Sequence, residues 1–426
     1  MASSRGLVAV VVALAGCGGS SGGARDSGVG ADMSSADLGA GDGGGGDMAQ
    51  PACITPTTPG TCAAPVMTNV PYCNLADTGC MDSAQPTQFV ADAQYYEVNS
   101  PLWSDGAAKS RAFVLPATGK ISVKSCGADA TPTQLAQCLS PGGVPQGDAE
   151  TGKWVFPVGT VMLKSFSFDG KVVETRLFMH VDGATAQLIN NGSQWVGYTY
   201  AWNEAQTAAT LVPNTRTTVQ FATGAQTVTW NYPSRADCIA CHANGVDTLG
   251  PDSAQMNRTV GSANQIDTLV AAGLFDDTAP VKPYPDATVE PYANAALGLT
   301  GPPAGATVDQ EARSYLSANC GFCHRPDVND QGFDLRWRLT LFQTKVCGLA
   351  ATDGIPNDTT PYQDFAPGDH AGSALWVRMN IPVPDDDVHE NANVGRMPPR
   401  SSFVVDAQAT ALIAAWIDGT ASCPTQ

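Results

Sequence analysis

The five residues Cys320-Gly321-Phe322-Cys323-His324 constrain this 426-residue chain more than any other stretch, and Cys238-Ile239-Ala240-Cys241-His242 repeats their pattern. In an exported protein C-x-x-C-H is the attachment signature of c-type haem: two thiols bond the vinyl groups and the next imidazole binds the iron. With 13 Cys and 5 His in the chain, chance supplies about 0.005 such runs. Two runs therefore predict two covalently bound haem c groups, attached at Cys238, Cys241, Cys320 and Cys323. His242 and His324 are the predicted proximal ligands.

Export is legible at the start of the chain. Arg5 precedes the short apolar run from Leu7 to Ala13, and Leu14-Ala15-Gly16-Cys17 follows. The run is too short to span a membrane and suits a signal peptide. The last four residues resemble the bacterial lipobox, which implies lipidation at Cys17 and an anchor on the periplasmic side of the envelope or the outer membrane. Residues 18–50 are nearly all Gly, Ser, Ala and Asp, a composition that buries no core and reads as a flexible tether. The net charge of −18 argues against nucleic acid as a partner and suits a basic redox partner, although it serves solubility equally well.

Eight cysteines remain: Cys53, Cys62, Cys73, Cys80, Cys126, Cys138, Cys347 and Cys423. In an oxidising compartment an even set predicts disulfides, with the pairing open and Cys126–Cys138 a fitting local closure. They contain no second C-x-x-C pair, so a metal cluster fits them less well.

Residues 51–85 are rich in Pro and Cys and read as an irregular, disulfide-pinned segment. From 86 to 235 the period is two, with β-branched and aromatic runs at 153–156, 160–163, 172–181, 195–200 and 226–230. Asp169-Gly170 between two runs predicts a hairpin, and Asn190-Asn191-Gly192 another turn. This is a β-rich domain, expected as a sandwich or small barrel. A first haem region follows over 236–305 and a second over 306–426, both mainly helical, so the fold class is multi-domain α+β.

Capping patterns begin the helices at Ser234 through Asp237, Ser262 through Gln265 and Thr307 through Gln310. The last of these opens a helix with Val308, Ala312, Tyr315 and Leu316 on one face, running directly into Cys320. A short helix is expected over 373–379. A final one starts at Asp406, buries Ala409, Leu412, Ile413, Trp416 and Ile417, and stops at Gly419.

The order helix, C-x-x-C-H, loop, Met397-Pro398-Pro399, helix resembles the class I cytochrome c domain over 306–423. That resemblance implies two terminal helices packed at the haem edge and Met397 as the distal ligand of the second haem. A His/Met pair suits electron transfer, because the soft thioether favours Fe(II). Pro398 and Pro399 stiffen the ligand loop. Met379, at the end of a helical stretch, reads as core. For the first haem, Met256 is the leading distal candidate, with a packed core Met as the equal alternative. His180 lies in a strand pattern and reads mainly as structural, while His370 and His389 sit in polar loops.

From about 95 to 420 the chain is similar to a largely uncharacterised bacterial family of di-haem c-type cytochromes. The carrying stretches are Pro101-Leu102-Trp103-Ser104-Asp105-Gly106, Phe156-Pro157-Val158-Gly159-Thr160, Glu174-Thr175-Arg176-Leu177, Tyr198-Thr199-Tyr200-Ala201-Trp202-Asn203 and Leu249-Gly250-Pro251. Gln265, Met397-Pro398-Pro399 and the two haem runs complete them. The chain departs from that pattern at Met256, where Leu is usual. The resemblance implies an electron carrier. The alternative is a haem oxidoreductase, either peroxidase-like or with a substrate site on the β-rich domain, for which Asp105, Lys164, Glu174 and Arg176 are the polar candidates. A surface strand charge pattern is the favoured reading of those four. No catalytic residue declares itself.

Overall fold

Asp169 and Gly170 have φ of 48° and 79°, the left-handed pair that a type I′ turn requires and that matches the twist of two flanking strands. They close the longest hairpin of the molecule, with Phe168 opposite Lys171. The structure is a computed structural model that describes residues 53–62, 71–128, 130–139, 147–189, 194–223, 226–242, 248–284, 287–326, 328, 331–352, 354–355, 358–382, 395–399 and 402–425. The expected signal segment, Cys17, the tether, the turn at 190–192 and His389 lie outside the described residues.

Six strands form one antiparallel meander in chain order: β1 (Gln94–Tyr95), β2 (Ala108–Val114), β3 (Val161–Phe168), β4 (Lys171–His180), β5 (Trp195–Trp202) and β6 (Ala209–Leu211). Among the described residues β1 and β6 stay apart at opposite edges, so the expected sandwich or barrel is instead an open sheet with small two-stranded ribbons. Closure depends on pairing between the first and last strands, which alternation within each strand does not encode.

Both faces of the sheet are covered. Ala112, Leu163, Leu177, Tyr198 and Tyr200 face a cluster containing Leu75, Cys80 and Phe89. There the Cys53–Cys73 and Cys62–Cys80 disulfides staple residues 53–62 to residues 71–85, and the packing of Leu75, Cys80 and Phe89 seats the segment on the sheet. The opposite face carries Phe113, Met162 and Phe178 against Trp154, Phe156, Ile266 and Leu269. A further hairpin, β7 (Thr217–Thr223) and β8 (Gln226–Tyr232), packs Trp230 and Phe221 against Phe166 and Phe168.

The helices that bear on the site are α1 (Arg235–Cys241), α2 (Val308–Asn319), α3 (Ala374–Asn380) and α4 (Ala407–Gly419). Ala312, Tyr315 and Leu316 of α2 pack with Ala409, Ile413, Trp416 and Ile417 of α4. Each large apolar side chain buried there contributes roughly 1.5–3 kcal/mol. Asp406 caps α4 by accepting from the Ala409 N–H at 3.1 Å. Val308 is exposed rather than part of the buried face. The helix at 265–271 is capped by Asn264 instead of Ser262.

The other disulfides are Cys126–Cys138 and Cys347–Cys423. Residues Ala49–Gln426 make one compact unit. The segments delimited at 235/236 and 305/306 pack within it. Among the described residues no helix is long and apolar enough to cross a membrane.

Candidate functional site

The first C-x-x-C-H run is aimed by its cap. Ser234 Oγ accepts from the Asp237 N–H, and the Asp237 carboxylate accepts back from the Ser234 N–H at 2.9 Å. Arg216 clamps the same carboxylate through Nη2 and Nε. Although burial opposes it, the Arg216 and Ser234 hydrogen bonds hold the Asp237 carboxyl at about 2. The helix so fixed lies against β5 at Gly197. A Cβ at that glycine would stand 2.7 Å from Cys238 Sγ. His242 ends the helix with its ring 4.1 Å from that of Phe178.

The second run leaves α2 after a full capping box at Thr307 and Gln310. A Cβ on Gly321 would meet the Ser317 and Leu335 carbonyls at 2.9 and 3.0 Å, so only glycine fits there. The His324 ring stacks on Phe333 at 4.8 Å and 10°. Its Nδ1 is buried without a hydrogen-bond partner, an exception among buried polar atoms that calls for a ligand or a role. Burial, aided by Arg378, pushes the His324 imidazolium down to about 4. The ring is therefore neutral at pH 7, the form that binds a metal. The next residue, Arg325, pairs with buried Glu150 at 3.2 Å, and Glu150 also takes Lys124 and Arg336.

Met397 stands on a loop held from the other half of the chain. Arg396, 1 % exposed, donates to the Ile381, Phe403 and Val404 carbonyls and to Ser402 Oγ. Asp105, itself buried, accepts from Ser402 Oγ at 2.8 Å, the Phe403 N–H at 3.0 Å and the Val404 N–H at 2.9 Å. Trp103 Nε1 donates to the Val404 carbonyl at 2.9 Å, and the Trp103 N–H donates to Asn319 Oδ1 at the end of α2. The stretch 101–106 thus joins the Met397 loop to the helix that leads into Cys320.

These parts line one cavity of about 450 Å³, within the roughly 300–1,000 Å³ range of cofactor sites. Cys238, Cys241, His242, Cys320, Cys323, His324, Met397, Pro398 and Pro399 all border it, and its sheet wall includes Met162, Phe178, Tyr198 and Trp230. The four cysteines of the runs stand outside the disulfides. Burial pushes the Cys238 thiol up to about 11 and the Cys320 thiol to about 12. The buried neutral His324 imidazole, the four cysteines outside the disulfides and the largely apolar wall fit a covalently attached haem.

The other candidates fall elsewhere. Met256 is fully buried among Phe113, Trp154, Ile266 and Leu269 and does not line the cavity. Met379 packs in the α2–α4 core. His180 Nδ1 is bonded to the Phe156 carbonyl at 2.9 Å while its ring stacks on Trp195. His370 is paired with Asp418 at 2.8 Å. The surface-charge reading of Asp105, Lys164, Glu174 and Arg176 fails: Asp105 and Glu174 are buried, and Lys164 and Arg176 face the cavity. Sequence reasoning missed Arg111, Met162, Gly197, Glu150 and Arg396, whose roles arise from contacts between distant segments.

No protein-family model, curated protein or solved structure matches the chain.

Proposed function

We propose that this chain is a di-haem c-type cytochrome that passes electrons at the cell envelope, lipid-anchored through Cys17, to or from a basic redox partner. The observation that carries the reading is the shared cavity: both C-x-x-C-H runs and Met397 border a single space, which favours transfer between the two centres. When bound, the haem irons supply one-electron chemistry between Fe(III) and Fe(II).

The chain's residues do the holding and tuning. Cys238 and Cys241 would hold one porphyrin, and Cys320 and Cys323 the other. His242 and His324 would be the proximal ligands. Phe333 fixes the plane of the His324 ring. Met397, on a loop tied by Arg396 and Asp105, would close the second site to other ligands. Met256, in the apolar core, is left out of the ligand set.

The test is optical. Protein matured in a c-type cytochrome background should give reduced-minus-oxidised spectra of two low-spin c-type haems and no peroxide turnover. A high-spin centre with rapid peroxide turnover would overturn the electron-carrier reading in favour of the haem oxidoreductase.

A further inference from the structure

Three cations stand in one row across the sheet. Arg111 of β2 is in register with Lys164 of β3, and Lys164 with Arg176 of β4. Side chains alternate between faces, so all three share the face of Phe113, Met162 and Phe178, and all three border the cavity. Like charges directly opposite each other destabilise a strand pair. Here two such pairs adjoin, partly withdrawn from water.

The protein pairs one of the three. Arg176 donates to both oxygens of the fully buried Glu174 carboxylate, Nε to Oε1 at 2.5 Å and Nη2 to Oε2 at 2.9 Å, and that carboxylate also accepts from Trp230 Nε1 at 3.0 Å. The Lys164 ammonium lies 5.0 Å over the Phe166 ring. Among the described residues no carboxylate lies within ion-pair distance of Arg111 or Lys164. Burial, reinforced by Arg111, Lys109 and Arg176, pushes the Lys164 ammonium well below the ordinary lysine range. The chain has 40 acidic residues against 22 basic ones, yet among the described residues Glu174 alone pairs directly with the row, and Glu97 acts on Arg111 from beyond ion-pair distance. A buried charge persists when it is paired and otherwise sheds its proton, so an anion from outside the polypeptide would keep Lys164 charged between the two guanidinium groups.

We propose that the Arg111–Lys164–Arg176 row is a carboxylate-binding site of the cavity, occupied by propionate groups of the haem held there. This rests on the di-haem reading. The same forked and point-charge donors would accept a free carboxylate from solution, and the test separates the two sources.

Arg111→Gln, Lys164→Gln and charge-retaining Lys164→Arg holoproteins are compared with the parent by spectroelectrochemical titration, with haem content measured first as the alkaline pyridine complex. Loss of a cation beside the propionates removes stabilisation of the reduced state. Both Gln variants should therefore disfavour reduction of a haem by about tenfold, or 59 mV for a one-electron couple. Lys164→Arg should retain the parent potential, and added succinate should leave the parent unchanged. A saturable succinate-dependent shift in the parent, lost in Lys164→Gln, would overturn the propionate as occupant and assign the row to free carboxylates. Full haem content with unaltered potentials and no succinate effect would overturn the site itself. A parent without covalent haem would overturn the di-haem reading, and the propionate source with it.

Discussion

Removing the Asp105 carboxylate should loosen the Met397 loop from a distance of almost 300 residues in sequence. The carboxylate accepts from three donors of the loop, Ser402 Oγ and the N–H groups of Phe403 and Val404. It also provides the charge beside the buried Arg396 guanidinium. Hydrogen bonds to a charged acceptor are each worth about 1.5–3 kcal/mol, though not additively. Breaking a buried charged pair by removing one partner costs about 3–5 kcal/mol. Asp105→Ala should therefore destabilise the holoprotein by about 3–5 kcal/mol, with up to ~1–2 kcal/mol of that from placing Ala at φ 51°. Asp105→Asn tolerates the left-handed backbone and keeps one acceptor oxygen, so it should lose about half as much. Denaturant unfolding followed by tryptophan fluorescence gives the global change. The far-red band of methionine-ligated ferric haem reports the loop, and in the variants it should fade before the global transition. A loss below about 1 kcal/mol with the band intact would refute the clamp.

Gly197→Ala drives a methyl group against Cys238 Sγ; overpacking of this kind costs about 1–3 kcal/mol, and haem per chain should fall from two toward one by pyridine haemochrome. Met397→Leu should abolish the far-red band and lower the potential of one haem only, since a thioether ligand raises it. Glu150 gives a pH signature. Burial alone would raise its pKa, but Arg325, Lys124, Lys153 and Arg336 hold it down, from 4.5 to about 2. A depressed carboxylate stabilises the fold above its unfolded pKa, and that stabilisation fades as pH falls through the folded value. About 3 kcal/mol should thus be lost between roughly pH 4.5 and 2. Glu150→Gln should flatten that part of a stability-versus-pH curve by removing the charge that Arg325, Lys124 and Arg336 share; an unchanged slope would contradict the network.

What was legible in the sequence was local. The caps at Ser234, Thr307 and Asp406 and the Asp169-Gly170 turn each rest on residues within four positions of one another, so short-range chemistry specifies them. The two C-x-x-C-H runs stand out as a spacing pattern in the sequence, and the fold brings both to one cavity. The cation row was not: Arg111, Lys164 and Arg176 meet only through strand register, which no single strand displays. Asp105 looked like a surface charge because its partners at 402–404 lie at the other end of the chain. Met256 suited a ligand by distance from His242, yet packing placed it in the apolar core. The sandwich or barrel expectation failed for a similar reason, since alternation identifies strands without stating whether the first and last meet.

The account stands on the four cysteines that border the cavity outside every disulfide. The most direct test is the intact mass of protein matured with the c-type haem machinery, after acid-acetone extraction. The parent should retain two haems per chain. Cys238→Ala/Cys241→Ala and Cys320→Ala/Cys323→Ala should each retain one. A colourless parent, or haem released by the extraction, would contradict it.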